Sequence, residues 1–487
     1  MTDTDTISND SARELDSRPD DAANRLGTEG IGKLLLRFSI PAIVGMLVNA
    51  IYNVVDRLFV GRGVNEIALG GLSLVMPLMT ITLALSMLFG VGAANMISMR
   101  LGQNRREEAE NALNHCFWAN IVFGAATMAL QFIFLDPLLS ILGAQEGSEA
   151  LVYAKNYYWI VLLGQVFLMV GFSFSHCTRA QGFPVISMIS MFIGAGVNFV
   201  LDPLFIFGFH WGVEGAAWAT IIAQFVQMVW MLSFNFSKKA VIRLRLRTFK
   251  PSLRILGQIA VFGSSQFCLQ FIMSAVQLIY NSVISRAGVE AMGAASGGDI
   301  ALSAVSIQGT FVMLVIMPIF GINQGAQPIL GFNYGAGKFR RVLKAYLSAV
   351  AVASVWSVLG FMMTQTLSRQ LVGLFAPDGS DTLMRLASMA LRIATLMLPL
   401  VGFQIVSTNF FAVTGRPKMS IILSLMRQCI VLIPCLLIFS RLWGLEGTLA
   451  AMPVADGTAI IFTGIMVFFE IKKLRSSIAA ERMAGAT

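Results

Sequence analysis

From Leu34 onward the chain is a succession of long apolar runs separated by short polar breaks. A helix needs roughly 20 apolar residues to cross the hydrocarbon core of a bilayer. The runs fall at about 34–60, 67–99, 112–135, 150–175, 184–208, 213–236, 255–285, 298–330, 342–367, 384–413, 419–440 and 445–470. They are continuously apolar rather than alternating, which excludes a β-barrel, and backbone groups in lipid must be satisfied within their own segment. The expected fold class is an all-α membrane protein with twelve transmembrane helices. With 487 residues the chain has the length of about three soluble domains. A composition of 56% hydrophobic and 13% charged residues and a mean hydropathy of +0.73 set that option aside.

Charge orients the spans. The even-numbered connections carry Arg100, Arg105, Arg106, Arg179, Lys238, Lys239, Arg243, Lys338, Arg340, Arg341, Arg416 and Lys418, and Lys472 and Lys473 follow the last span. The odd-numbered ones hold Asp136, Glu149, Glu214, Glu290 and Asp381 and few bases. The positive-inside rule places the even side and both termini in the cytoplasm. The net charge of +9 is thus largely a topology signal. The basic stretch 238–254 has only Phe249 as an aromatic, so anionic lipid rather than nucleic acid is its expected contact. The acidic residues 1–30 hold too few large apolar side chains to fold alone and are expected to form a disordered tail, with no secretory leader. Cys116, Cys177, Cys268, Cys429 and Cys435 show no metal-ligand spacing and read as small hydrophobes.

The chain repeats itself. "GAANMISMRLGQNR" at 92–105 aligns with "GAQPILGFNYGAGK" at 325–338, and "AQGFPVIS" at 180–187 with "VTGRPKMS" at 413–420, both at an offset of 233. "WGVEGAAWA" at 211–219 aligns with "WGLEGTLAA" at 443–451, and "IYN" at 51–53 with "IYN" at 279–281. Two pseudo-symmetric six-helix lobes are expected, at 31–237 and 255–475, joined by the basic linker 238–254 and followed by a tail at 476–487. Duplicated bundles of this kind are the usual build of secondary transporters.

"FSIPAIVGMLVNAIYNVVDRLFVGRG" and "LDPLFIFGFHWGVEGAAWATIIAQ" resemble the first, fifth and sixth helices of the multidrug and toxic compound extrusion (MATE) family. "GINQGAQPILGFNYGAGKFRRV" and "SLMRQCIVLIPCLLIF" resemble the eighth and eleventh helices of its bacterial multidrug-pump branch. The likeness runs over about residues 31–470. It implies a twelve-helix, two-lobe antiporter that expels lipophilic organic cations in exchange for sodium or protons, in the cell (inner) membrane.

The repeat serves as an internal control, because a polar residue found in both halves serves the shared fold. Glu214 and Glu446 occupy equivalent turns and are read as structural, and Asp136-Pro137 as a helix break or cap. Asp56 has Ile284 as its counterpart, and Asp202 falls opposite Ile433 or Pro434, so both carboxylates belong to the first half alone. Asn198 lies one turn from Asp202 on the same helix face. An unpaired carboxylate deep in a span is disfavoured by roughly 2.5 to 3.5 kcal/mol, so these acids should face a cavity, a cation or each other. Oxygens from Asp56, Asn198, Asp202 and Thr220 would suit a sodium ion, and two close carboxyls would hold a proton. The MATE resemblance carries these four positions over as the cation-coupling site of the first lobe. Pro203 should free a backbone carbonyl beside it.

In the second half Arg427 and Asp456 both fall near mid-membrane, opposite Ala195 and Gln224, and are read as a buried, neutralising ion pair in preference to independent substrate contacts. The seventh helix carries Gln266, Gln270 and Gln277 but no acid, a departure from MATE members with an acidic residue there. The 27 methionines and 36 phenylalanines suit a deformable drug pocket, though none is singled out as a ligand.

Enzymatic readings fail. "GFNYGAGK" lacks the spacing of a phosphate loop, and the histidines, His115, His176 and His210, make no metal motif. The expectation is a monomeric cation-coupled multidrug antiporter with no cofactor and no metal beyond a sodium at the coupling residues. The competing readings are a flippase for lipid-linked oligosaccharides or polyisoprenoids, which calls for a basic cavity lining, and a receptor or scaffold that transports nothing.

Overall fold

The computed structural model describes residues 19–64, 66–142, 147–246, 249–294, 296–375 and 380–484. Among them all regular structure is helical. The first half contributes α1 (Ile31–Gly63), α2 (Glu66–Gly102), α3 (Arg106–Ile133), α4 (Glu149–Ala180), α5 (Pro184–Pro203) and α6 (Gly212–Phe236). The second contributes α7 (Leu253–Met292), α8 (Ser296–Gly335), α9 (Phe339–Thr366) and α10, in which Asp381–Ala394 bends by 50° into Leu398–Val413.

The last two spans merge into one helical run, Pro417–Ala479, of 63 residues. At 1.5 Å per residue that is roughly three times the thickness of a hydrocarbon core. Gly444 breaks it, with φ 57° and ψ −132°. This conformation is open to glycine and strained for any other residue, so α11 covers 417–443 and α12 covers 445–484. Among the described residues the spans number twelve, six in each half.

The sequence repeat reappears in the backbone. Left-handed φ values pair at the repeat offset: Asn104 (59°) with Gly337 (71°), Gly182 (105°) with Gly415 (79°), and Gly212 (57°) with Gly444 (57°). Each pair sits where one span ends and the next begins. α5 and α11 both open with a proline, Pro184 and Pro417, where the missing N–H has no intrahelical acceptor to serve.

The chain forms two compact units. Of the described residues, one holds those up to Phe267 together with Gln327–Lys338, and the other holds those of Cys268–Ala326 and from Phe339 on. The core of the first joins Val60, Leu78, Leu139, Tyr158, Leu162, Ile206 and Val213. That of the second joins Ile284, Leu391, Leu432, Leu436 and Leu449. Large apolar side chains such as Val200, Ile461, Phe468 and Phe469 point outward, as a lipid-facing surface requires.

Within the first unit, α2 and the end of α8 cross with their backbones in contact. A Cβ added at Gly102 would overlap the carbonyl oxygen of Phe332, and one at Gly335 that of Met99. Gln327 Nε2 donates to Asn95 Oδ1 at 2.5 Å across the same crossing.

Part of the N-terminal stretch expected to be disordered is a helix, Pro19–Thr28, with Leu26 fully buried. Asn333 Nδ2 donates to Leu26 O at 2.8 Å and Lys338 Nζ to Gly27 O at 2.9 Å. These bonds satisfy carbonyls that a helix C-terminus otherwise leaves open. Residues before Pro19 lie outside the described ones. At the other end, 476–484 of the expected tail continue α12 as helix. The basic linker is strapped to α3 and the α4–α5 turn. Arg245 N donates to Asn114 Oδ1 at 2.9 Å, Ile242 N to Gln181 Oε1 at 3.2 Å, and Ser252 N to His115 Nε2 at 2.9 Å.

Candidate cation site

Four helices of the first unit converge on one buried polar cluster. α1 supplies Tyr52 and Asp56, which share a face because they lie four residues apart. α5 supplies Asn198 and Asp202 by the same spacing, α6 supplies Thr220 and α4 supplies Tyr157. Asn198, Asp202 and Thr220 are all buried, Asp202 completely.

Asn198 is the hub. Its Nδ2 donates to Asp202 Oδ1 at 3.2 Å and to Thr220 Oγ1 at 3.4 Å. The carboxyl of Asp56 stands next to that of Asp202, bringing together two acids separated by 146 positions in the chain. The hydroxyls of Tyr52 and Tyr157 both reach Thr220 and lie within the field of the two acids.

The donors do not cover the acceptors. Asn198 Oδ1 and Asp202 Oδ2 are buried and meet no hydrogen-bond donor among the described residues, and Asp202 makes no ion pair there. Buried polar atoms are otherwise almost always paired. Acceptor oxygens left facing one another are what a hard cation coordinates or a proton bridges.

Pro203 follows Asp202 directly, and the helix loosens there into a π turn, Leu204–Gly208. Proline removes a backbone hydrogen bond, and the wider turn accommodates the loss beside the site. The sequence reading placed Asp56, Asn198, Asp202 and Thr220 in one site, and they stand together here. It omitted Tyr52 and Tyr157. Tyr52 carried a signal, its four-residue spacing from Asp56, but its repeat partner Tyr280 marked it as shared structure. Tyr157 joins through the packing of α4, for which the sequence offers no local cue.

The other acids fall as fold elements. Asp136 marks a helix break rather than a cap: it lies in the first turn of the helix Leu135–Ile141, whose N-cap is Phe134, and pairs with Lys155 at 2.7 Å; Glu214 Oε1 accepts from Asn156 Nδ2 at 3.2 Å. Ile284, opposite Asp56 in the repeat, is buried in the apolar core of the second unit. In that unit Arg427 Nε donates to Asp456 Oδ1 at 2.6 Å. Among the described residues no three His, Cys, Asp or Glu side chains cluster as metal ligands.

A duplicated set of twelve spans, with the adjacent carboxyls of Asp56 and Asp202 in one copy only, is the build of a membrane transporter. The family model MatE matches residues 41–204 and 267–438. The multidrug export protein MepA of Staphylococcus aureus (strain MRSA252) is 27% identical over 438 residues, 90% of this chain and 93% of that protein. MepA of Staphylococcus haemolyticus (strain JCSC1435) is 27% identical over 444 residues, 91% of this chain and 94% of its own length. A solved outward-facing multidrug resistance MATE family transporter of the MOP superfamily superposes with a TM-score of 0.85 at 26% identity, covering 93% of this chain and 98% of its own. The chain belongs to the MatE family. It is a membrane-embedded transporter of twelve helices in two six-helix lobes, and not an enzyme.

Proposed function

We propose that the protein is a secondary active multidrug exporter that exchanges lipophilic organic cations for sodium or protons by alternating access. The observation that carries this reading is the juxtaposition of the Asp56 and Asp202 carboxyls, beside which Asn198 Oδ1 and Asp202 Oδ2 are buried and meet no donor among the described residues. Two carboxylates about 4 Å apart repel by roughly 4 kcal/mol at an effective dielectric constant of 20. A cation between them, or a proton on one, removes that repulsion and draws α1 toward α5. Loss of the ion restores it and favours a conformation in which the two helices separate. An ion that binds one conformation better than the other shifts their populations by that difference. The name of the relative MepA, a multidrug export protein, supports drugs as the cargo. The basic connections support insertion in the cell (inner) membrane with both termini cytoplasmic, and a single chain contains the whole site.

Dye efflux from proteoliposomes, with sodium and proton gradients imposed separately, tests this. One gradient should drive export and the other should not. Export driven by neither overturns the antiport mechanism.

A further inference from the structure

The helix Pro19–Thr28 docks on two elements of the first unit. Asn333 and Lys338, at the end of α8, donate to the carbonyls of Leu26 and Gly27, and a Cβ added at Gly27 would stand 2.8 Å from the ring of Phe332. A Cβ added at Gly182, on the α4–α5 turn, would stand 2.8 Å from Ala22 O. One short helix thus bridges the end of α8 and the α4–α5 turn. The internal repeat separates this docking from the shared fold. Asn333 and Lys338 align with Arg100 and Arg105 of the first half, which pair instead with Glu108 of α3, at 3.0 and 3.3 Å.

A helix of 10 residues has little stability of its own, and the apolar side chains buried here are Ala22, Ala23 and Leu26. Its hold is of the kind that opens before the core does. The helix is also tied to α1. Glu29 and Gly30 alone separate the two, and Glu29 pairs with Lys33 at 3.1 Å and with Arg37 at 3.8 Å, both on α1. α1 carries Asp56 of the ion site. α8 is a single helix of 40 residues, yet its residues up to Ala326 belong to the second unit and those from Gln327 on to the first. The short helix is therefore fastened to the ion-bearing span at one end and to a span that enters both units at the other.

We propose that Pro19–Thr28 is a conformational latch: docked, it holds α1, the α4–α5 turn and the end of α8 together at their cytoplasmic ends, and transport requires it to let go in each cycle. The inference rests on the alternating-access reading and names the element that restrains it. Displacement of α1 as the ion leaves pulls on the bonds from Asn333 and Lys338. Undocked, the helix loses the contacts that keep it folded.

The full chain carrying Thr28→Cys and Lys338→Cys, with its five native cysteines replaced by alanine, tests the latch in proteoliposomes. Thr28 follows Gly27, whose carbonyl Lys338 reaches, so a flexible, reducible bis-methanethiosulfonate should bridge the pair. Gradient-driven dye efflux by the bridged protein should fall at least about tenfold, because the released state is no longer populated, and should return when the bridge is reduced. Bridged protein that exports at the unbridged rate overturns the latch and makes the helix a fixed part of the fold. Failure of the bridge to form contradicts the docking. In the native cysteine background, Asn333→Leu with Lys338→Met removes both donors at similar volume. Amide hydrogen exchange over Ala22–Gly27 should then quicken at least about tenfold while efflux continues. Unchanged exchange, or lost efflux by protein that thermal unfolding shows to be folded, also overturns the proposal. Absence of efflux from the unaltered chain under either gradient ends the alternating-access reading itself, and is told apart because it precedes any bridge.

Discussion

Asn198 Nδ2 lies 3.2 Å from Asp202 Oδ1, one helical turn away, and Asp202 Oδ2 is buried with no donor among the described residues. The amide thereby aims one carboxylate oxygen at the site and contributes its own Oδ1 beside it. Asn198→Ala removes both effects. A hydrogen bond to a charged group is worth roughly 1.5 to 3 kcal/mol. The concentration of coupling ion that half-saturates dye efflux should therefore rise about tenfold or more. An unchanged ion dependence contradicts the role given to Asn198.

Tyr52 and Tyr157 reach Thr220 from two different helices. Tyr52→Phe and Tyr157→Phe each remove one neutral hydroxyl and keep the ring. A loss of roughly 0.5 to 1.5 kcal/mol is expected, a few-fold weakening of the same ion dependence. Thermal stability in detergent should barely change, which separates an effect on the site from an effect on packing.

The crossing of α2 and α8 depends on two absent side chains. Gly335→Ala forces a methyl group against the carbonyl of Met99, and overpacking of this kind costs about 1 to 3 kcal/mol. Gly309, on the same helix, has nothing within 4 Å of an added Cβ. Thermal unfolding should show Gly335→Ala destabilised and Gly309→Ala not, and dye efflux should follow the same order.

Arg427→Gln alone leaves the Asp456 carboxylate buried with no partner among the described residues, for which roughly 3 to 5 kcal/mol is the expected loss. Arg427→Gln combined with Asp456→Asn removes both charges and should lose less. A double variant less stable than the single one contradicts the pairing.

Much of this molecule was legible in its sequence, for identifiable reasons. Spans are set by the thickness of a bilayer, so the apolar runs marked all twelve, and the WGxEG repeat marked Gly444 as a break that the helical run itself conceals. Asp56 and Asp202 stood out because a charge in lipid demands a reason. Their adjacency came only through the family resemblance, since it depends on how α1 packs against α5. The helix Pro19–Thr28 escaped because its burial rests on Leu26 and two alanines, too little apolar surface to register, and its docking partners Asn333 and Lys338 lie more than 300 positions away. The two π turns, Leu204–Gly208 and Met426–Leu432, leave no periodic trace in a run that is apolar throughout.

The central claim is that Asp56 and Asp202 hold the coupling ion together. Gradient-driven dye efflux by Asp56→Asn and by Asp202→Asn, each reconstituted as folded protein, tests it most directly. The account expects both variants to lose efflux under a gradient that drives the unaltered chain. Efflux at the unaltered rate by both variants contradicts it.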